Sequence, residues 1–417
     1  MALFDKSTDA FAALRVREFS YFVSFRFFVT IATLMQSVIV GWQMYELTHN
    51  PLDLGLIGLA EAIPAICIAL FAGHIADKYN RKTIIFLSLI TFLIGSIILF
   101  SCSIEQFGLF KRFGAWPIFI VVAISGFARG FMYPSSLALM AQIVPRSLYA
   151  NSSTWNSVLW HVGAVTGPAI GGLVYGFKGV EAAYAGVIFF ALVALLLLIP
   201  IKKKPIVKSL LIESLKERLF SGLRFVFKNQ IMLGALSLDM FAVLFGGAVA
   251  MLPVFANEIL HVGPEGLGVL RAAPALGAIM MSLFLAYHPP LKNAGKALVF
   301  AVTGFGVCMI LFALSTNFYL SMAFLILSGM FDNISVVIRA TIVQLMTPDE
   351  MRGRVASVNS IFIGSSNEIG SFESGLAASL MGLVPSVIFG GVMTLIVVGI
   401  TAGVSPLLRK LNINTVK

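Results

Sequence analysis

Residues 82–103 read Lys-Thr-Ile-Ile-Phe-Leu-Ser-Leu-Ile-Thr-Phe-Leu-Ile-Gly-Ser-Ile-Ile-Leu-Phe-Ser-Cys-Ser, and no charge follows Lys82 in the run. A helix needs about 20 mainly apolar residues to cross the hydrocarbon core of a bilayer. This stretch meets that requirement, and comparable runs recur on both sides of it. The predicted spans are 19–45, 53–76, 82–103, 116–141, 151–175, 181–201, 230–256, 265–287, 296–315, 318–343, 355–380 and 384–407. Hydrophobic residues make up 59% of the 417 positions and charged residues 12%, with a mean hydropathy of +0.95. A soluble domain carries about 25% charged residues, so this chain lacks the polar surface that a soluble protein of its length requires. Pro64, Pro168 and Pro274 lie inside the runs without excluding helices, because neighbouring helices satisfy freed backbone groups. The first run, from Phe19 to Tyr45, is too long for the apolar core of a signal peptide and is expected to be the first span.

A net charge of +10 raises the question of nucleic acid, but the basic residues sit in loops between apolar runs. With both termini placed inside, 22 of the 29 Lys and Arg fall on the inner side, three (Lys111, Arg112, Lys178) fall outside, and four lie within spans. That asymmetry predicts both termini in the cytoplasm. No nucleic-acid partner is expected. Cys67, Cys102 and Cys308 lie in or at the ends of apolar runs and imply no disulfide framework.

The two halves are related. An offset of 203 aligns Ser125-Gly126 with Ser328-Gly329, Pro145 with Pro348, Asn156-Ser157 with Asn359-Ser360, Gly167 with Gly370, and Gln36 with Asp239. An offset of 210 aligns Gly58, Pro64 and Ala65 with Gly268, Pro274 and Ala275. The expected organisation is an all-α membrane protein of twelve transmembrane helices in two pseudo-symmetric six-helix bundles. Residues 1–201 form the first bundle, 202–229 a basic amphipathic linker and 230–417 the second bundle. Within the linker, Leu211, Leu215, Leu219, Leu223 and Phe227 recur every four residues among basic side chains, as in a helix lying on the inner leaflet. Parallel repeats of this kind belong to transporter architectures with a solute site near the midplane.

The loop after the second span reads Gly73-His74-Ile75-Ala76-Asp77-Lys78-Tyr79-Asn80-Arg81-Lys82. It resembles the GxxxD(R/K)xxR(R/K) signature of the major facilitator superfamily. The resemblance implies a conformational latch built on Gly73, Asp77 and Arg81. Span five carries Gly163, Gly167, Pro168, Gly171 and Gly172, which resemble the GxxxGPxxGG signature of the superfamily's drug/proton antiporters and imply export. Glycines at four-residue spacing also suit close helix packing. Arg129, in Gly126-Phe127-Ala128-Arg129-Gly130, resembles the membrane arginine that the family associates with proton coupling. Gly41-Trp42-Gln43-Met44-Tyr45-Glu46-Leu47-Thr48 is similar to the branch that includes macrolide and enterobactin exporters.

Ionisable groups are expensive in hydrocarbon and usually face a cavity or a partner. Within the spans lie Glu61, Asp239, Asp332, Glu368, Glu373, Arg26, Arg129, Arg271 and Arg339. Arg339, near the inner end of its span, is expected to snorkel. The repeat equates Glu61 with Arg271 and Arg129 with Asp332, so equivalent positions carry opposite charge. The expectation is a charge network of Asp239, Asp332, Arg129, Glu61, Arg271, Glu368, Glu373 and Arg26 that re-pairs between conformational states, with Asp332 and Asp239 as proton carriers. Gln36, Trp155, Asn156, Trp160, Asn359 and Ser366 are the expected lining of an amphipathic substrate cavity. His161 lacks a partner at ligand spacing, so no metal is expected. There is no Walker loop and no catalytic triad pattern, and an enzyme is not expected.

The leading expectation is a proton-driven exporter of small amphipathic organic molecules, drug- or siderophore-like. It would work as a monomer in the bacterial cytoplasmic membrane, with the bilayer and the solute as partners and the proton in place of a cofactor. A flippase for lysolipids or similar lipids, a nutrient importer and a non-transporting receptor are the alternatives.

Overall fold

A computed structural model describes residues 9–205, 215–288, 292–348, 351–409 and 411–412. Its helices follow the apolar runs: α1 Arg17–Thr48, α2 Pro51–Lys78, α3 Arg81–Ser103 and α4 Trp116–Ile143. Tyr149–Leu198 is a 50-residue helical run that turns at Gly179, where φ is 84° and ψ 173°. Only glycine adopts that backbone conformation without strain. We call its two arms α5 (149–178) and α6 (180–198). Then follow α7 Gln230–Gly246, α8 Pro264–Tyr287, α9 Ala294–Leu314, α10 Phe318–Met346, α11 Arg352–Met381 and α12 Leu383–Val404.

Among the described residues, ten helical stretches are long and apolar enough to cross a membrane. The stretch 151–198 has the length of two crossings, about 72 Å at ~1.5 Å per residue. The remaining predicted span is α11, 30 residues long, whose apolarity is diluted by Asn359, Ser366, Asn367, Glu368, Ser371, Glu373 and Ser374. Among the described residues these stretches make twelve membrane helices. Asparagine caps set three of their starts. Asn80, Asn229 and Asn317 accept from the amides of Thr83 (3.4 Å), Met232 (3.1 Å) and Leu320 (3.1 Å), satisfying donors that a helix start leaves open.

The chain packs as two compact units. The first comprises Met1–Val40 and Ile63–Leu210, and the second Gly41–Ala62 and Leu211–Lys417. The compact units thus differ from a division at the linker, because the α1–α2 corner packs with the second unit. There Gly55 and Gly375 meet backbone to backbone, and Gly58 faces Ser371 of α11. In the second unit, Ala235, Leu238, Ala242, Leu298, Val302, Ile338, Ile342 and Val398 form one buried cluster. The α8–α10 contact is closer still. A Cβ on Gly277 or Gly329 would run into the carbonyls of Ile326 and Pro274.

The predicted span 230–256 is not one continuous helix. α7 stops at Gly247, and the chain continues through a 3₁₀ turn at Ala248–Met251, a helical turn at Leu252–Val254 and a π turn at Phe255–Ile259. The linker contains a helix at Leu215–Lys228. Gly222 rests on the Arg354 carbonyl, Val226 is buried, and Arg354 donates to the Ser221 hydroxyl at 3.0 Å. Phe220 and Phe227 face outward. Leu211 of the predicted stripe lies outside the described residues, and so do the side chains of Leu215 and Leu219.

Candidate functional site

The densest charge cluster is in the second unit. Asp332, Ser335 and Arg339 are spaced three and four apart on α10, which puts them on one face of the helix. That face meets Asp239 of α7. Arg339 Nη1 lies 2.7 Å from Asp239 Oδ2, and the two residues are 6% and 5% exposed. The expected snorkelling of Arg339 is therefore corrected: a carboxylate on a neighbouring helix holds the guanidinium inside the unit. Asp332 acts electrostatically on Asp239, and Arg339 acts on both acids. A cavity with room for about one water molecule opens beside them. Its walls are Asp239, Ala242 and Val243 of α7, Ala301, Val302 and Phe305 of α9, and Phe331, Asp332 and Ser335 of α10. The Ser335 hydroxyl and the Arg339 Nε are buried without a hydrogen-bond partner among the described residues.

A second cluster forms where α7 breaks. Arg271 of α8 donates to the Val249 carbonyl at 3.2 Å, and the Ser374 hydroxyl donates to the Gly247 carbonyl at 3.2 Å. Side chains thus serve backbone groups at an interruption inside an apolar unit. Arg271 also interacts electrostatically with Glu368 of α11 and Glu61 of α2. Glu61 and Arg271, equivalent in the repeat, are therefore brought together. Glu373 is half-buried, five residues beyond Glu368 on α11. The α1–α2 corner adds polar anchors that sequence reasoning missed. The Tyr45 hydroxyl donates to Glu258, Trp42 Nε1 donates to Glu46 at 2.6 Å, and Gly41 abuts Pro253.

In the first unit, Arg26 of α1 interacts with Tyr133 of α4, and Arg129 lies on α4. Gln36 is buried and accepts from the Ser96 hydroxyl at 2.7 Å, which ties α1 to α3. The glycine stripe packs α5 against α1. A Cβ on Gly163 would lie 2.9 Å from Thr30 Cγ2, one on Gly167 3.0 Å from the Ile31 carbonyl oxygen, and one on Gly171 3.0 Å from Met35 Cγ. Pro168 and Gly172 are buried on the same helix.

Trp155 donates from Nε1 to the Ala10 carbonyl at 2.9 Å, and its ring lies 5.4 Å from that of Phe11. Asn156 is half-buried beside it. Trp160 is 46% exposed and meets His161 edge-on. On α11, the Ser366 hydroxyl donates to the Ile363 carbonyl at 3.0 Å, while Asn359 Oδ1 is buried without a hydrogen-bond partner among the described residues.

Of the loop signature, Arg81 begins α3, Gly73 lies on α2, and the side chain of Asp77 lies outside the described residues. Its neighbours fasten the end of α6. Asn80 Nδ2 donates to the Lys204 carbonyl at 3.0 Å, Lys82 Nζ donates to the Ile199 carbonyl at 2.8 Å, and Lys204 pairs with Glu18. Among the described residues no group of three or more His, Cys, Asp or Glu side chains is placed to hold a metal ion.

Known proteins share this organisation. The chain is 24% identical over 329 residues to the enterobactin exporter EntS of Shigella flexneri, covering 79% of this chain and 77% of that protein. It is 22% identical over 395 residues to a staphyloferrin A transporter of Staphylococcus aureus, covering 90% and 93%. Among solved structures, a bacterial homologue of the human lysosomal transporter Spinster superposes with a TM-score of 0.72 at 15% identity, covering 97% of this chain and 98% of that one. A POT family transporter gives 0.74 at 12% identity, covering 94% and 97%. These two structures share the fold. A sequence model of the Major Facilitator Superfamily matches residues 21–371. With twelve helices, buried charges and a match across most of its length, the chain belongs to the Major Facilitator Superfamily and is a multi-pass membrane transporter.

Proposed function

We propose that this transporter exports small amphipathic organic molecules, drug- or siderophore-like, in exchange for protons. The observation that carries the reading is the Asp239–Arg339 pair with Asp332 beside it. One guanidinium serves two acids, and a proton arriving on either acid frees the arginine to commit to the other. Separating a buried charge pair is expensive unless one partner is neutralised, so protonation makes re-pairing accessible. Such a change of partner is the kind of discrete two-arrangement element that biases a conformational equilibrium. The cluster around Arg271, Glu61 and Glu368 offers a second set of partners at the interrupted α7.

The likeness to an enterobactin exporter supports an outward direction and a bulky organic solute. The glycine-rich α5, with its resemblance to antiporter signatures, points the same way. In this proposal the chain works as a monomer in a bacterial cytoplasmic membrane with both termini inside, needs neither metal nor organic cofactor, and alternates access to its solute. Proteoliposomes with an imposed pH gradient test it, using a panel of siderophores, cationic drugs and lysolipids. Accumulation driven by the gradient for one of the first two classes supports the reading. Transport indifferent to the gradient overturns proton exchange, and movement of lysolipid alone overturns the solute class.

A further inference from the structure

The two units carry opposite charge along their membrane-spanning segments. The first has Arg26 and Arg129, and its one acid there is Glu181 at the start of α6. In the second, Asp239, Asp332, Glu368 and Glu373 outnumber Arg271 and Arg339. Acids that can take protons and bases that can take anions are thus carried by different units. Arg26 lies nine residues into α1, about 13.5 Å along the helix at ~1.5 Å per residue. Its one electrostatic partner among the described residues is the phenol of Tyr133 on α4. A neutral phenol leaves the charge of the guanidinium uncompensated. Ionisable groups within spans ordinarily pair with one another or mark the path of a solute, and no carboxylate meets this one among the described residues.

The surroundings say what kind of anion fits. Tyr133 is 50% exposed. Arg129 lies four residues before it, on the same face of α4, and is exposed as well. α5 runs along α1, with Gly163 set against Thr30. Trp160 precedes Gly163 by three residues and Arg26 precedes Thr30 by four, so the two lie on facing sides of these helices at about one level. The Trp160 ring is exposed and has only an edge contact, with His161. A guanidinium accepts a carboxylate in a two-point fork and lies flat against aromatic rings. Base, phenol and open indole together suit a planar organic anion, and an organic cation would meet like charge here.

We propose that Arg26, with Tyr133 and Trp160 beside it, is an anion subsite on the first unit, and that the transported solute is an aromatic organic acid bound as its carboxylate. The inference rests on the export reading only in calling the ligand a solute, and it narrows that reading from amphipathic molecules in general to anions. Binding is measurable without a gradient. Proton-driven export of cationic drugs alone would leave export standing and overturn this subsite; an anion bound without gradient-driven export would do the reverse.

The test uses three probes that share one ring system and differ in charge: 1-naphthoate, 1-naphthamide and 1-naphthylmethylammonium. Equilibrium dialysis and thermal unfolding of the purified full chain in detergent read their binding, since a ligand taken up only by the folded state raises the unfolding temperature by mass action. The wild type is expected to bind the carboxylate, with the amide and the ammonium at least about tenfold weaker. Arg26→Gln should bring the carboxylate down to the level of the amide. Arg26→Lys should keep the order of the three probes at reduced affinity, because it retains the charge and loses the fork. Added phosphatidylglycerol separates solute from lipid as the source of the anion: naphthoate binding that survives it supports a solute subsite, whereas stabilisation by the lipid alone overturns one. The wild-type comparison decides by itself should Arg26→Gln fail to fold. Equal binding of the three probes, or binding of none, overturns the proposal, as does an Arg26→Gln chain that still prefers the carboxylate.

Discussion

At the scale of single residues, Arg339 shows why a buried charge is understood only with its partner. Seen in the sequence, it stands near the end of an apolar run, where a long side chain ordinarily reaches the interface. In the fold it is 2.7 Å from Asp239, a hundred positions away in sequence. Removing one member of a buried pair strands the other, at a cost of about 3–5 kcal/mol, whereas replacing both by apolar groups is often tolerated. Arg339→Met is therefore expected to lower the unfolding temperature markedly, because it leaves Asp239 and Asp332 without their guanidinium. The double substitution Asp239→Leu with Arg339→Met removes one of the two stranded acids and should recover part of the loss while abolishing coupled transport. Thermal unfolding in detergent and a proteoliposome assay check the two halves. A double variant no more stable than the single one would contradict this account of the pair. The acids themselves were legible, because a carboxylate inside an apolar run stands out. Arg339 as a partner and Ser335 as a cavity wall were not, because their meaning depends on which helix α10 faces.

At the scale of elements, hydropathy located the spans well, and the departures from it have identifiable causes. The corner at Gly179 hangs on a glycine like the others in the chain until its positive φ is known. α11 falls short of the apolarity of the other membrane helices, yet its 30-residue length and remaining apolar positions place it among the predicted spans. The glycines of α5 were legible as a packing face, and the geometry gives that face its partner, α1. A side chain at Gly167 would press on the Ile31 carbonyl oxygen, 3.0 Å from the new Cβ. Overpacking of this kind costs about 1–3 kcal/mol. Gly167→Leu should accordingly destabilise the chain by that order. Gly364 of α11 is the counter-case, since a Cβ there meets nothing within 4 Å. Helix propensity alone then acts, and Gly364→Ala should stabilise by up to ~1 kcal/mol. Unfolding temperatures of the two variants measured side by side decide the matter. Equal effects would mean that glycine spacing on α5 has no packing role.

At the scale of the whole molecule, the charge asymmetry of the loops makes a prediction independent of any single contact. Basic residues near short loops are retained on the cytoplasmic side during insertion, and 22 of this chain's 29 Lys and Arg fall in the segments assigned there. Lys178, beside the Gly179 corner, and Lys292, before α9, are both exposed and lie on opposite predicted faces. The test starts from a chain in which exposed Cys67 is replaced by Ser; the remaining Cys102 and Cys308 are buried. Into it go Lys178→Cys or Lys292→Cys, one at a time. In intact bacterial cells a membrane-impermeant maleimide should label position 178, while position 292 should react only after the cells are opened. Neither site belongs to the charge clusters, so the substitutions are expected to leave folding and transport untouched. The reverse labelling pattern would invert the chain in the membrane. The proposed export would survive that inversion, because in an exchanger the proton gradient, and not the orientation of the chain, sets the direction in which solute moves.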